Sequence, residues 1–138
     1  MAEKRDPEKY LRGVLMVNGI GDIALAALMI FLPGPLSKFL GFGLTDDFVY
    51  VAGGWGTAAF SFGAMRFLAG WKARGDICWY VGAFGIVEGL LLAIFSLSIP
   101  AFTTLALRHV WMSALFAAAF AVAYGVAFLK RRASVAQS

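Results

Sequence analysis

The sequence predicts an all-α protein, a four-helix transmembrane bundle with both N- and C-termini cytoplasmic, and three observations carry that expectation. The chain is 61% hydrophobic and 14% charged over 138 residues, with a mean hydropathy of +0.79; soluble domains carry roughly a quarter charged residues. Four apolar segments, at about 13–33, 48–70, 77–99 and 107–129, have the ~20-residue length that crosses a ~30 Å hydrocarbon core. Lysine and arginine gather on one set of flanks: Lys4, Arg5, Lys9 and Arg12; Lys72 and Arg74; and the terminal "KRR". The opposite flanks hold only Lys38 and Arg108, so the basic side is read as cytoplasmic. Residues 1–138 then form a single integral membrane domain of a cytoplasmic (inner) membrane.

The elements follow in order. The first apolar run is too long for a signal-peptide core, its leading region mixes acids with bases, and "MIFLPGPLSKFL" offers no small-x-small cleavage site. It is read as a retained helix, ended by Pro33, Gly34 and Pro35. In "GPLSKFLGFGL", Leu36, Phe39, Leu40 and Phe42 are spaced for a short interfacial helix. "WKARGD" separates the second helix from the third, and "SIPAFTT" the third from the fourth. "WGTAAF" at 55–60 echoes "WMSALF" at 111–116, and Pro33 and Pro100 follow Asp22 and Glu88 at similar distances. This pattern points to two pseudo-repeated helical hairpins in parallel relation. Trp55, Trp71, Trp79 and Trp111 fit interfacial belts.

Polar residues inside the apolar segments are the functional candidates. At ~1.5 Å per residue, Asp22 and Glu88 fall near the midplane on different helices. Each costs about 2.5–3.5 kcal/mol to insert. The ten Val, Leu, Ile and Phe residues between Val14 and Leu32 return roughly 3–6 kcal/mol, so the first helix still inserts. Ala52, Gly56, Ala59, Gly63 and Arg66 share one stripe of the second helix, and Ala114, Ala118, Ala121 and Gly125 one stripe of the last. Small residues allow close approach of helices in lipid, so these faces should point inward together with Asn18, Asp22, Arg66 and Glu88. Arg66, about 10 Å below the midplane, can either snorkel to water or reach up to a carboxylate. With two acids and one guanidinium, one acid is expected to hold a proton and the other to pair with Arg66. Such a cluster either sets helix register through hydrogen bonds or handles a substrate or protons. His109 beside Arg108, near the outer end of the last helix, is an interfacial polar residue or a proton entry point.

Several functions are excluded. The basic residues lack the interleaved aromatics of a nucleic-acid platform. One cysteine and one histidine leave no internal disulfide and no metal site. "GIGDIA" at 19–24 matches a dinucleotide fingerprint but lies inside a helix rather than after a strand. No Walker loop, HExxH or GxSxG occurs, and no catalytic residue is assigned.

The glycine-rich first helix ending at "FLPGP", the "GGWG" that opens the second and the "EGLLLAIFSLS" of the third resemble the DoxX-like four-helix membrane proteins over about 115 residues. That resemblance implies an integral bundle attached to a respiratory or thiol-handling system. This chain has no cysteine pair, which sets it apart from a direct redox role.

The functional expectation is a small polytopic membrane protein with an intramembrane carboxyl site, in an accessory or small-ligand-binding role. Asp22, Glu88, Arg66, Asn18 and His109 are its binding or proton-handling candidates. The alternatives are a proton-coupled transporter of small molecules using Asp22 and Glu88, or an intramembrane lipid isomerase. Expected partners are membrane lipids, a small hydrophobic or cationic ligand, and a homo-oligomer or respiratory-type subunit. No cofactor is assigned.

Overall fold

The computed structural model describes residues 6–103 and 107–136. The expectations for Lys4, Arg5 and the Arg108 side chain lie outside the described residues. Among the described residues five helices follow one another: α1 (Pro7–Phe31), α2 (Pro33–Leu40), α3 (Asp46–Lys72), α4 (Asp76–Phe102) and α5 (Leu107–Val135). No strand occurs among the described residues.

The expected set of four spanning helices is corrected to three among the described residues. By length and composition α1, α4 and the His109–Val135 stretch of α5 can cross a membrane. The 27-residue α3 is as long but less apolar. Its sequence carries two valines, one leucine and one methionine among five glycines, with Thr57, Ser61, Tyr50 and Trp55 in place of aliphatic residues. The helices also outrun most of their expected bounds, although α1 stops at Phe31, short of residue 33. Asp6 caps α1 by accepting from the Glu8 N–H at 2.9 Å, with Pro7 in the first turn, so the helix starts before its apolar stretch. Thr45 caps α3 through the Phe48 N–H at 3.1 Å. Pro100 lies inside the last turns of α4 rather than ending it, and α5 runs through "KRR" to Val135.

The short α2 forms where the spacing predicts it. It ends at Gly41, whose φ of 75° lies in the left-handed region that glycine adopts without strain. Leu36 and Ser37 turn inward from it and Phe39 outward.

Packing divides the long helices into two close pairs, α1 with α3 and α4 with α5. The pairs join mainly where α1 meets α5, whereas α3 and α4, although consecutive, touch little. The α1–α3 approach rests on glycine. A Cβ on Gly19 would lie 2.6 Å from the Gly63 carbonyl oxygen, and one on Gly63 would lie 2.8 Å from that of Gly19. No side chain fits between these backbones, the close packing that small residues permit in lipid.

The termini of the bundle lie at one end, because the Lys130 ammonium sits 3.9 Å from the centre of the Tyr10 ring. At that end Arg12 of α1 donates from Nε to the Gly70 carbonyl and from Nη2 to the Trp71 carbonyl, both at 2.8 Å. These bonds satisfy carbonyls that the end of α3 leaves unpaired. The apolar core also lies in this half: Leu11, Leu15, Ala69, Cys78, Trp79 and Tyr124 bury one another. Trp79 is therefore a core residue rather than an interfacial one, with Phe128 edge-on at 4.9 Å and Arg131 over its ring at 4.5 Å. Trp55, Trp71 and Trp111 are exposed.

Candidate functional site

Three charged side chains from three helices meet inside the bundle. The close approach at Gly63 brings the Asp22 backbone of α1 against α3, where a Gly63 Cβ would lie 2.9 Å from the Asp22 Cβ. Arg66, one turn along α3, extends past Gly63 into the same level. Its Nη1 donates to Asp22 Oδ2, and its Nη2 pairs with Glu88 Oε2 of α4. Arg66 thus reaches a carboxylate instead of snorkelling. Both acids pair with it, on separate nitrogens, where only one was expected to. Its Nε–H is buried and has no hydrogen-bond partner among the described residues.

The surroundings of the two acids differ. The Arg66 side chain is 6% exposed and Asp22 15%, whereas Glu88 is 46% exposed on the flank of α4. With both carboxylates ionised the triad carries one excess negative charge, held between a buried guanidinium and an open carboxylate.

Asn18, one turn from Asp22, is buried beside the triad and turns to a different partner. Its Nδ2 donates to the Tyr124 hydroxyl of α5 at 2.9 Å. This bond ties α1 to α5 as Arg66 ties α1 to α3 and α4. A buried hydroxyl and amide satisfy each other here at low cost. Spacing alone places Ala114, Ala118, Ala121 and Gly125 on the inward stripe of α5, which leaves out Tyr124. The buried positions are Ala114, Ala117, Ala121, Tyr124 and Ala127, and a Cβ on Gly125 would meet open space. The signal was present: Tyr124 follows Ala117 by seven residues and Ala121 by three, the spacing of a packed helix face.

A small cavity of about 50 Å³ adjoins the triad. Asn18, Asp22, Arg66 and Glu88 supply its polar lining, and Leu92, Phe116 and Phe120 its apolar walls. Phe116 and Phe120 stack edge to face with ring centres 4.8 Å apart. The space takes a few water-sized groups, such as the head of a larger molecule.

His109 does not join this group. It lies at the opposite end from the basic residues, against Gly41 and with its ring 5.6 Å from that of Phe42. Cys78 is buried in the core. Among the described residues no three His, Cys, Asp or Glu side chains come together to hold a metal ion.

Comparison with protein-family models, with curated proteins and with solved structures finds no match to this chain. Among the described residues three helices are long and apolar enough to span a bilayer, which fits a helical membrane protein. Its distinguishing feature is a carboxylate–guanidinium–carboxylate triad between α1, α3 and α4.

Proposed function

We propose that this chain is a small integral membrane protein that binds the polar head of a small hydrophobic or cationic ligand at Arg66, Asp22 and Glu88. The observation that carries this reading is the exposure of Glu88 while it pairs with the buried Arg66. A purely structural ion triad would be enclosed on all sides, because an open carboxylate facing lipid is costly. The excess negative charge favours a cation, and the unpartnered Arg66 Nε–H is left to bond an acceptor group in the cavity. Val87 and Leu91, exposed beside Glu88, give the apolar part of the ligand a place to lie. The basic end, with Arg12, Lys72 and Lys130, then faces the cytoplasm from a cytoplasmic membrane.

The test is binding of tetraphenylphosphonium to the full chain in phosphatidylcholine nanodiscs, by equilibrium dialysis. Glu88→Gln should weaken binding by roughly tenfold or more, about 1.4 kcal/mol, because it removes the excess negative charge that draws the cation. Asp76→Asn, which removes an exposed acid outside the site, should leave it unchanged. Equal binding by wild type and Glu88→Gln would overturn the reading.

A second reading, proton-coupled transport, draws on the same two carboxylates sharing one guanidinium, since a proton or a cation arriving at Glu88 can release Arg66 to Asp22. In sealed proteoliposomes an imposed pH gradient should drive uptake of the same cation, and both Asp22→Asn and Glu88→Gln should abolish it. Binding without gradient-driven uptake leaves the ligand-binding reading alone.

A further inference from the structure

We infer that the groove between α1 and α5 at the basic end is a binding site for one anionic phospholipid. This site is separate from the Arg66 triad and does not rest on the reading given for it. The groove is open and holds about 430 Å³. Lys9 and Tyr10 stand at its mouth, and Gly13, Val14 and Val17 continue along α1, with Phe120 and Ala123 facing them from α5.

Its chemistry is graded along its length. Lys9, Gly13 and Val17 lie on one stripe of α1, so the groove runs about 12 Å from an ammonium group to a wholly apolar end. The second cation at the mouth is Lys130, which lies over the Tyr10 ring. Among the described residues neither lysine has a carboxylate partner; Arg131, by contrast, lies 3.7 Å from Asp76. Arg12 is also taken, by the carbonyls of Gly70 and Trp71. Two ammonium groups without a carboxylate partner among the described residues, one of them over the Tyr10 ring, therefore stand at the mouth of an apolar channel, at the end of the bundle where the other basic residues gather. Basic pockets between membrane helices on that side suit anionic head groups. The phosphate sits between Lys9 and Lys130, and the first part of one acyl chain lies along Gly13, Val14 and Val17. Phe120 closes the inner end. It also walls the triad's cavity, so it keeps the acyl chain from the charged cluster.

Gly13 gives a clean test. A Cβ there would meet nothing within 4 Å, so the side chain of Gly13→Leu starts into open space and takes up part of the groove. Gly54 on α3 is equally open and serves as the control. The full chain is purified in detergent containing equimolar phosphatidylglycerol and phosphatidylcholine, and retained lipid is counted by native mass spectrometry. Wild type and Gly54→Leu should each keep one phosphatidylglycerol, with at least a fivefold preference over phosphatidylcholine. Lys9→Gln with Lys130→Gln should lose the preference, and Gly13→Leu should lose the retained lipid. Equal retention of the two lipids by wild type, or undiminished phosphatidylglycerol on Gly13→Leu, would overturn the inference. Loss in Gly54→Leu to the same extent would do so too, because the lipid would then belong to the general annulus.

Discussion

Arg66 and Glu88 form an ion pair whose two ends lie in different surroundings, the guanidinium 6% exposed and the carboxylate side chain 46% exposed. Breaking the pair from its two ends should therefore have unequal consequences. Arg66→Leu leaves two acids facing each other in the bundle and should cost about 3–5 kcal/mol. Glu88→Gln keeps Arg66 paired with Asp22 and should cost about 1 kcal/mol or less. Replacing all three charges together, with Asp22→Asn, Arg66→Met and Glu88→Gln, should recover most of the Arg66→Leu loss. Reversible unfolding of the reconstituted protein by steric trapping measures each value. Equal losses from Arg66→Leu and Glu88→Gln would contradict the asymmetry.

The Asn18–Tyr124 hydrogen bond should be measurable as a coupling between α1 and α5. A double-mutant cycle of Asn18→Ala and Tyr124→Phe should give about 0.6 kcal/mol, and no more than about 1.7 kcal/mol. A coupling of zero would mean that the two side chains find other partners in lipid.

Glycine substitutions should separate the packed seam from the open groove. Gly63→Ala drives a methyl group against the Gly19 carbonyl and the Asp22 Cβ, both belonging to α1. It should cost about 1–3 kcal/mol and loosen the Asp22–Arg66 contact with it. Gly13→Ala meets open space and removes a flexible residue from a helix, so it should stabilise by roughly 0.5–1 kcal/mol. The same unfolding measurement reads both signs, and two losses of similar size would count against the α1–α3 seam.

The clasp of Arg12 on the end of α3 depends on two donors in a fixed fork. Arg12→Lys keeps the charge but cannot donate to the Gly70 and Trp71 carbonyls in the same geometry. Amide hydrogen exchange in the last turn of α3 should rise severalfold in that variant, while the middle of α3 stays protected. Unchanged exchange would show that the helix end holds without the clasp.

Much of the site was legible in the sequence. Acids and an arginine within apolar helices are costly to insert, and they share faces with the small residues that pack inward. That reasoning brought together Asp22, Arg66, Glu88 and Asn18, all of which line one cavity. It also included His109, which shares only the general property of being polar near a membrane helix and lies at the other end against Phe42. The stripe Ala114, Ala118, Ala121 and Gly125 alternates steps of four and three, but it is out of phase with the buried face, which steps from Ala114 to Ala117 and from Ala121 to Tyr124.

The sequence by itself determined that the chain is helical, that the long helices begin and end near their prolines, caps and charged flanks, and that a few ionisable groups are committed to apolar surroundings. Those properties are local, written in hydropathy, turn residues and side-chain chemistry along one strand of text. Tertiary structure decided which residues meet. α3 is too poor in aliphatic side chains to rank with the spanning helices, yet it lies closer to α1 than any other helix does because Gly19 and Gly63 leave no side chain between the two backbones. That contact sets the level at which Arg66 finds Asp22, and the loose contact between α3 and α4 accompanies the exposure of Glu88. Partner choice of this kind depends on distances between distant segments. It emerges only once the backbones have packed, because the same arginine could have bonded water at the interface had α1 stood a few ångströms away.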